Sequence, residues 1–225
     1  MGQRLGAGEV YTWHLERLQS LAGKLGADQL ETTVPACPDW TVRDLYGHLA
    51  GVSSDIVNPV ATPALDAQHT RSHVDDRAER SLAEVSAELS ANQAGVVAFL
   101  DRGVMAAPAL DIWAHYNDIR GALARPREDD GDVLAFALGI VAAGHRRGWG
   151  DRDVPTLQVV GEHREWVFGA GDPDATLSAA DYELARQFMG RRSRSQLLAM
   201  DWEGDPTPFV DALSVFPPPV ADLVD

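Results

Sequence analysis

A carboxylate and a histidine stand four residues apart in the segment Asp111-Ile112-Trp113-Ala114-His115-Tyr116-Asn117-Asp118. In a helix this spacing places Asp111 and His115 on one face, with Cβ atoms about 5–6 Å apart, so both can hold one metal ion. Asp118 follows on that face, where it can bind the other imidazole nitrogen. An Asp–His pair on a helix surface is the ordinary alternative, and this motif alone does not exclude it.

His48 is the candidate for a third ligand. It falls within the apolar face of a predicted second helix. That face consists of Leu45, Leu49, Val52 and Ile56. A histidine there is usually a hydrogen-bonded core residue. With Asp111 and His115, it would complete a set of two imidazoles and one carboxylate. Three protein ligands and an open position are typical of catalytic zinc, although iron or nickel accepts the same set.

The elements that would position these residues are helices in the first two thirds of the chain. Apolar periodicity and capping residues predict helices over 9–25, 41–57, 76–100, 107–123 and 132–147, with loops over 35–39 and 58–75. After residue 150 the pattern changes to strands over 154–160, 165–168 and 175–178, a helix over 181–189 and an irregular tail. We therefore predict a mainly α fold, with a helical bundle over 1–150 and a small α+β domain over 151–225.

The amino-acid composition excludes or disfavours several classes of protein. The 225 residues include one cysteine, Cys37, which excludes a disulfide scaffold and a Cys-rich zinc finger; we interpret Cys37 as a small apolar filler. The net charge of −15 disfavours nucleic-acid binding. No segment has the length of a membrane span or the pattern of a signal peptide, so we expect a cytoplasmic protein without membrane contact.

Two segments resemble signatures of a known family. Val34-Pro-Ala-Cys-Pro-Asp-Trp-Thr-Val-Arg-Asp-Leu-Tyr-Gly-His-Leu-Ala-Gly51 resembles the N-terminal signature of the mycothiol-dependent maleylpyruvate isomerases, a family of the DinB-like superfamily. Residues 111–123 resemble the second signature, in which a carboxylate, a histidine and an aspartate follow in order. Residues 77–89 resemble a weaker third segment, and 175–191 resemble a sterol-carrier-like C-terminal domain.

The resemblance implies a DinB-like four-helix bundle, a divalent metal and mycothiol as the thiol cosubstrate. The implied ligands are His48, Asp111 and His115, and zinc is the expected ion. The best-known isomerase of the family has glutamate at the place of Asp111. Aspartate is one methylene shorter, which leaves open whether the geometry and the metal are the same.

The function implied is that of a thiol S-transferase or a cis–trans isomerase, in which a metal-activated thiolate attacks a small electrophilic substrate. Asp118 and Arg77 are the candidate catalytic residues. Arg191, in a basic cluster over 191–194 that otherwise predicts a solvated helix end, is the candidate for binding the cofactor or an acidic substrate. The alternatives are a metal-dependent hydrolase with Asp118 as base, and a non-catalytic small-molecule binding protein; either a monomer or a homodimer is compatible with the sequence. We interpret His69 and His73 as surface histidines.

Overall fold

The computed structural model describes residues 5–59, 66–128 and 131–225. Contacts divide the chain into two compact units, Met1–Glu128 with Asp225, and Asp129–Val224. The sequence predicted a boundary near residue 150, whereas this division falls before the helix Gly131–Gly148. That helix packs on a strand and a helix of the second unit, which is why the contacts assign it there.

The first unit is a bundle of four long helices, together with shorter ones. Its helices are α1 (Ala7–Ala22), α2 (Ala27–Leu30), α3 (Val42–Val57), α4 (Ala67–Asp75), α5 (Leu82–Leu100) and α6 (Ala107–Ala122). The four long helices are α1, α3, α5 and α6, and the shorter helices are α2 and α4. α1 and α3 each contact both α5 and α6, so the four form a closed ring of neighbours. Leucines on their inner faces are fully or almost fully buried, among them Leu15, Leu45 and Leu89. The predicted four-helix bundle is confirmed.

Two predicted loops of this unit contain regular structure. The segment predicted as a loop over 35–39 is part of an antiparallel hairpin of β1 (Thr33–Val34) and β2 (Cys37–Thr41). Within the predicted loop over 58–75, residues 67–75 form α4, while 60–65 lie outside the described residues. Asp66 starts α4 because its carboxylate accepts a hydrogen bond from the backbone N–H of His69 at 2.7 Å. α4 was missed because its buried face is short and contains a histidine, His73, beside Val74.

The second unit combines a small sheet with helices. Its elements are α7 (Gly131–Gly148), β3 (Leu157–Val160), β4 (Glu165–Phe168), β5 (Ala175–Ser178), α8 (Asp181–Phe188), α9 (Arg194–Leu198) and β6 (Asp201–Glu203). The sheet order is β4-β3-β5-β6; β3 and β5 are parallel, and the other neighbours are antiparallel. This confirms the small α+β region, although α9 and β6 were not predicted. Among the described helices, none combines the length and apolar composition that a bilayer span requires.

Candidate metal centre

The start of α3 fixes the position of His48. The Thr41 hydroxyl accepts a hydrogen bond from the backbone N–H of Asp44 at 3.2 Å, and the Asp44 carboxylate accepts one from the Thr41 N–H at 2.8 Å. This reciprocal cap defines the first turn of the helix. Further along, the Tyr46 hydroxyl donates to the Leu18 carbonyl of α1 at 2.8 Å. The cap and this tie set the rotation of α3, so that His48 lies next to α6.

The three predicted ligands converge in the first unit. His48 Nε2 lies 3.5 Å from Asp111 Oδ2, and His115 Nε2 lies 3.4 Å from Asp111 Oδ1. One ligand atom from each residue lies within 4.8 Å of the others, and the two imidazole rings meet edge to face with centroids 5.1 Å apart. Ligand atoms on a tetrahedral zinc with bonds of about 2.0–2.1 Å stand about 3.3–3.4 Å apart. The two distances from Asp111 to the imidazole nitrogens therefore fit one zinc-sized ion.

Two buried polar atoms support the same fit. Within the described part of the chain, Asp111 Oδ2 and the Tyr11 hydroxyl are shielded from solvent and form no hydrogen bond. Buried polar atoms are normally paired, so unpaired ones point to a missing partner. Burial raises the pKa of the Tyr11 hydroxyl, and the nearby charge of Asp111 raises it further. A cation between Asp111 and the imidazoles would give the carboxylate its partner, and the 31% exposure of the Asp111 side chain leaves one side of the site open.

The charges at the site are strongly coupled. Burial raises the pKa of Asp111, but the neighbouring His115 and His48 outweigh it and hold that pKa well below its usual range. Burial lowers the pKa of His115, but Asp111 outweighs it, so that pKa lies well above its ordinary value. Asp111 is therefore a carboxylate at neutral pH, and either a protonated imidazole or a metal ion can neutralise its charge.

Asp118 orients the ring of His115. His115 Nδ1 lies 3.0 Å from Asp118 Oδ2, and the Asp118 side chain has no exposed surface. If Nδ1 carries the proton and donates it to this carboxylate, the lone pair of Nε2 faces Asp111, which is the common arrangement of metal-bound histidine. Through this contact Asp118 orients His115, and a catalytic role for Asp118 stays a prediction.

Part of the chain matches a known protein family, and its fold is similar to two solved structures. Residues 14–107 match the family described as the mycothiol maleylpyruvate isomerase N-terminal domain. This match covers 94 of the 225 residues, from within α1 to the start of α6. The fold is similar to the crystal structure of the mycothiol-dependent maleylpyruvate isomerase, with a TM-score of 0.53 and 12% identity over 82% of this chain and 88% of that one. A histidine-to-alanine mutant of mycothiol-dependent maleylpyruvate isomerase gives a TM-score of 0.52 and 11% identity over the same shares. No curated protein sequence matches the chain.

The region matched to the mycothiol maleylpyruvate isomerase domain contains His48 but ends at α6, before Asp111 and His115. It also contains a hydrogen-bonded chain that leads away from His48. His48 Nδ1 lies 3.4 Å from His73 Nδ1, and His73 Nε2 lies 2.8 Å from Asp55 Oδ2. Each neutral imidazole has one N–H, so His48 can donate to His73 and His73 to Asp55, which leaves His48 Nε2 free as a ligand.

His73 reaches His48 because α3 has a glycine at the contact. A Cβ on Gly51 would lie 2.3 Å from Cγ of His73, so any larger residue would displace that ring. Burial lowers the pKa of His73 despite the opposing effect of Asp55, in agreement with a neutral ring. Sequence reasoning missed His73 and Asp55. The four-residue spacing of His69 and His73 after a possible Asp66 cap was the available signal.

Two further residues of the segment 34–51, Trp40 and Cys37, lie beside the candidate metal centre. The Trp40 ring lies 5.0 Å from the His48 ring, centroid to centroid. Cys37 is half-buried on β2, and its sulfur lies within 4.8 Å of ligand-type atoms of His115 and Asp118. Cys37, interpreted from the sequence as an apolar filler, thus lies beside the candidate metal centre.

Arg191, the predicted cofactor-binding residue, lies in the second unit. Its guanidinium donates to the Met189 carbonyl at 2.8 Å and stands 5.7 Å from the centroid of the Phe216 ring. Arg191 and Arg192 are both buried, and Arg192 pairs with Glu183 at 2.6 Å. The prediction of a solvated helix end is therefore wrong for these two residues. A role for Arg191 in holding an acidic group stays a prediction.

Arg77, predicted as catalytic, binds other residues of the first unit. Its Nη2 donates to Glu88 Oε1 at 2.5 Å, its Nε to Glu88 Oε2 at 3.1 Å, and its Nη1 to the His73 carbonyl at 2.9 Å. Arg80 also pairs with Glu88. The Arg77 and Glu88 side chains are only 10% and 16% exposed. These contacts indicate that Arg77 joins α4 to α5.

We expect Arg77→Ala to lower the free energy of unfolding by about 1–3 kcal/mol, because it removes one partner of a largely buried ion pair. Burial raises the pKa of Glu88, but Arg77, Ser54 and Arg80 outweigh it and lower that pKa overall. A carboxylate with a lowered folded-state pKa stabilises the fold above its unfolded pKa, and this contribution disappears as the pH falls through the folded pKa. The loss should thus be largest at neutral pH and shrink below about pH 4.5, the ordinary pKa of Glu88.

Urea unfolding at pH 7 and at pH 3.5 measures this difference. Arg71→Ala is the matched control, since Arg71 is exposed on α4 and its replacement should change stability little. A loss that is the same at both pH values would contradict the role of the Glu88 pair.

Proposed function

We propose that the chain is a metal-dependent enzyme that uses mycothiol, either as an S-transferase or as a cis–trans isomerase of a small electrophilic substrate. The observation that carries the proposal is the convergence of His48, Asp111 and His115 on one open-sided point. The proposal is supported by the match of residues 14–107 to the mycothiol maleylpyruvate isomerase N-terminal domain. The donor set, two imidazoles and a carboxylate, is that of catalytic rather than structural zinc.

The ligand residues would hold the ion at the closed side of the site. When bound, zinc supplies a positive charge that keeps a coordinated thiol ionised at neutral pH. Asp118 and His73 hold the two imidazoles through their Nδ1 atoms, so that the Nε2 atoms face Asp111. Because these partners already hold the two imidazoles in place, little free energy is spent on reorganising them when a ligand binds.

The reaction begins with the thiolate of the cosubstrate. Its sulfur forms a bond to an electrophilic carbon of the substrate, and the electron pair moves into the conjugated system. If the adduct is protonated and released, the product is a thiol conjugate. If the adduct rotates about the former double bond and the carbon–sulfur bond breaks, the thiolate returns and the net change is cis–trans isomerisation. Both outcomes need the same site.

Hydrolysis receives less support from the geometry. It would require a base at the open side to activate water. Asp118, the residue predicted for that task, has no exposed surface and binds His115 instead. A non-catalytic binding role is separated from the enzyme by the experiment below, because it predicts no dependence of thiol affinity on the metal.

We expect metal-loaded protein to bind mycothiol at least about 10-fold more tightly than metal-free protein, a difference of about 1.4 kcal/mol or more. The reason is that removal of the ion takes away the positive charge that stabilises the thiolate. Titration calorimetry of both forms measures the two affinities. An S-methylated mycothiol is the matched control, because it presents no thiolate and should bind both forms alike. Equal binding of the free thiol to both forms would contradict the proposal.

A further inference from the structure

A second group of ligand-type side chains lies where α3 meets α4. Asp55 of α3 and His69 and His73 of α4 form this group, here called the α3–α4 triad. His69 Nε2 and His73 Nε2 lie 2.6 Å and 2.8 Å from the same oxygen, Asp55 Oδ2, and 3.3 Å from each other. The triad shares no ligand atom with His48, Asp111 and His115.

We propose that the α3–α4 triad is a second binding site for a divalent transition-metal ion. The two histidines stand four residues apart on one helix, so their imidazoles reach the same point. Without an ion, the Nε2 atoms of His69 and His73 can both donate a proton to the same carboxylate oxygen, Asp55 Oδ2. One cation can replace both protons and accept a lone pair from each nitrogen.

The dimensions of the triad allow this exchange. The 3.3 Å separation of the two Nε2 atoms already equals the spacing of about 3.3–3.4 Å expected on tetrahedral zinc. The two shorter nitrogen–oxygen distances have to lengthen by roughly half an ångström to reach that spacing. Asp55 and His69 can make this adjustment, because their side chains are 28% and 25% exposed. The same exposure leaves solvent access for the remaining coordination positions.

The chemistry of the triad also selects the kind of ion. Imidazole nitrogens suit zinc, cobalt, nickel and copper, whereas magnesium and calcium prefer sites made of oxygen ligands. A site with two imidazoles, one carboxylate and open positions should therefore take zinc or cobalt and show no response to magnesium. Zn²⁺ and Co²⁺ are the probes that this choice suggests.

The triad is coupled to the first centre through the contact between His48 and His73. An Nε2 that binds a cation has no proton, so the single proton of each neutral ring then sits on Nδ1. With both sites filled, the two Nδ1 atoms 3.4 Å apart are both donors, and their hydrogen bond is lost. Repulsion between the two cations acts in the same direction. We therefore expect an ion at either site to weaken the binding of an ion at the other site by roughly 3- to 10-fold. This factor corresponds to the free energy of one net hydrogen bond.

Equilibrium dialysis against Zn²⁺ with a competing chelator tests the site. Wild-type protein should bind two ions per chain. His69→Gln should bind one ion, because it loses the ion of the triad. Asp55→Asn should lose the same ion, and agreement between the two variants argues against a folding defect in one of them. His115→Ala should retain the triad ion, and His115→Ala with His69→Gln should bind none. His145→Ala is the control, since His145 is a buried histidine of the second unit that belongs to none of the ligand-type groups of the described residues, and its replacement should leave both ions in place.

The outcomes separate the two sites. A wild-type stoichiometry of one that His69→Gln does not change would overturn the second site, whereas a single ion that is lost in His69→Gln and kept in His115→Ala would support the triad and contradict the first centre. Titration with Co²⁺ gives a spectroscopic check, because tetrahedral cobalt absorbs more strongly than hydrated cobalt. For the coupling, the product of the two wild-type association constants should be about 3- to 10-fold smaller than the product of the single constants of His69→Gln and His115→Ala. Equal products would overturn the coupling.

Discussion

His115→Ala should reduce zinc affinity at the first centre by at least about 100-fold, because even the loss of a residue that only orients a ligand typically costs 10- to 100-fold. The substitution removes one of three donors and also the partner of Asp118, whose buried carboxylate then lacks its imidazole. His48→Ala should have a similar effect, since Nε2 of His48 is the donor contributed by α3.

The measurement is a chelator competition carried out in the His69→Gln background, so that an ion at the α3–α4 triad does not hide the loss. His145→Ala is the matched control. His145 is a buried histidine of the second unit whose pKa is lowered to about 4 by burial and by Arg152, and its removal should leave the zinc affinity unchanged. Zinc affinity that survives in both His48→Ala and His115→Ala would show that these histidines are core residues and not ligands.

The local part of this site could be predicted from the sequence. The spacing of Asp111, His115 and Asp118 fixes one helix face, and Thr41 with Asp44 marks the start of the helix that contains His48. Helix periodicity says nothing about which helices are neighbours. The placement of His48 beside α6 came from the resemblance to a family, because tertiary contacts leave no local pattern in one sequence.

The parts that could not be predicted have weak local signals. α4 is polar and short, so it lacked the apolar stripe by which the longer helices were recognised, and its two histidines were assigned to a surface loop. Gly51 permits the approach of His73 to α3, but a glycine in a helix indicates a close contact without saying which residue makes it. The assignment of α7 to the second unit depends likewise on packing against α8, which its own sequence does not specify.

Asp111→Asn should weaken zinc binding at the first centre by at least about 10-fold, and Asp111→Glu should stay within about 10-fold of wild type. The carboxylate lies between the two imidazoles, with Oδ1 3.4 Å from His115 Nε2 and Oδ2 3.5 Å from His48 Nε2. Aspartate is therefore long enough here, although the best-known isomerase of the family has glutamate. Asparagine keeps the shape but loses the charge, and its NH₂ group is a donor that cannot bind a cation.

Glutamate can keep the ion because the side chain at position 111 is 31% exposed, so an added methylene can bend toward the open side. Catalysis is less tolerant, since a shift of about 1 Å at the reacting atoms can cost 100-fold in rate. Metal affinity and turnover should thus separate in Asp111→Glu and fall together in Asp111→Asn. Chelator competition and thiol-dependent turnover measure the two quantities. If Asp111→Asn holds zinc as tightly as wild type, Asp111 is a helix-surface residue, and the first centre reduces to its two histidines.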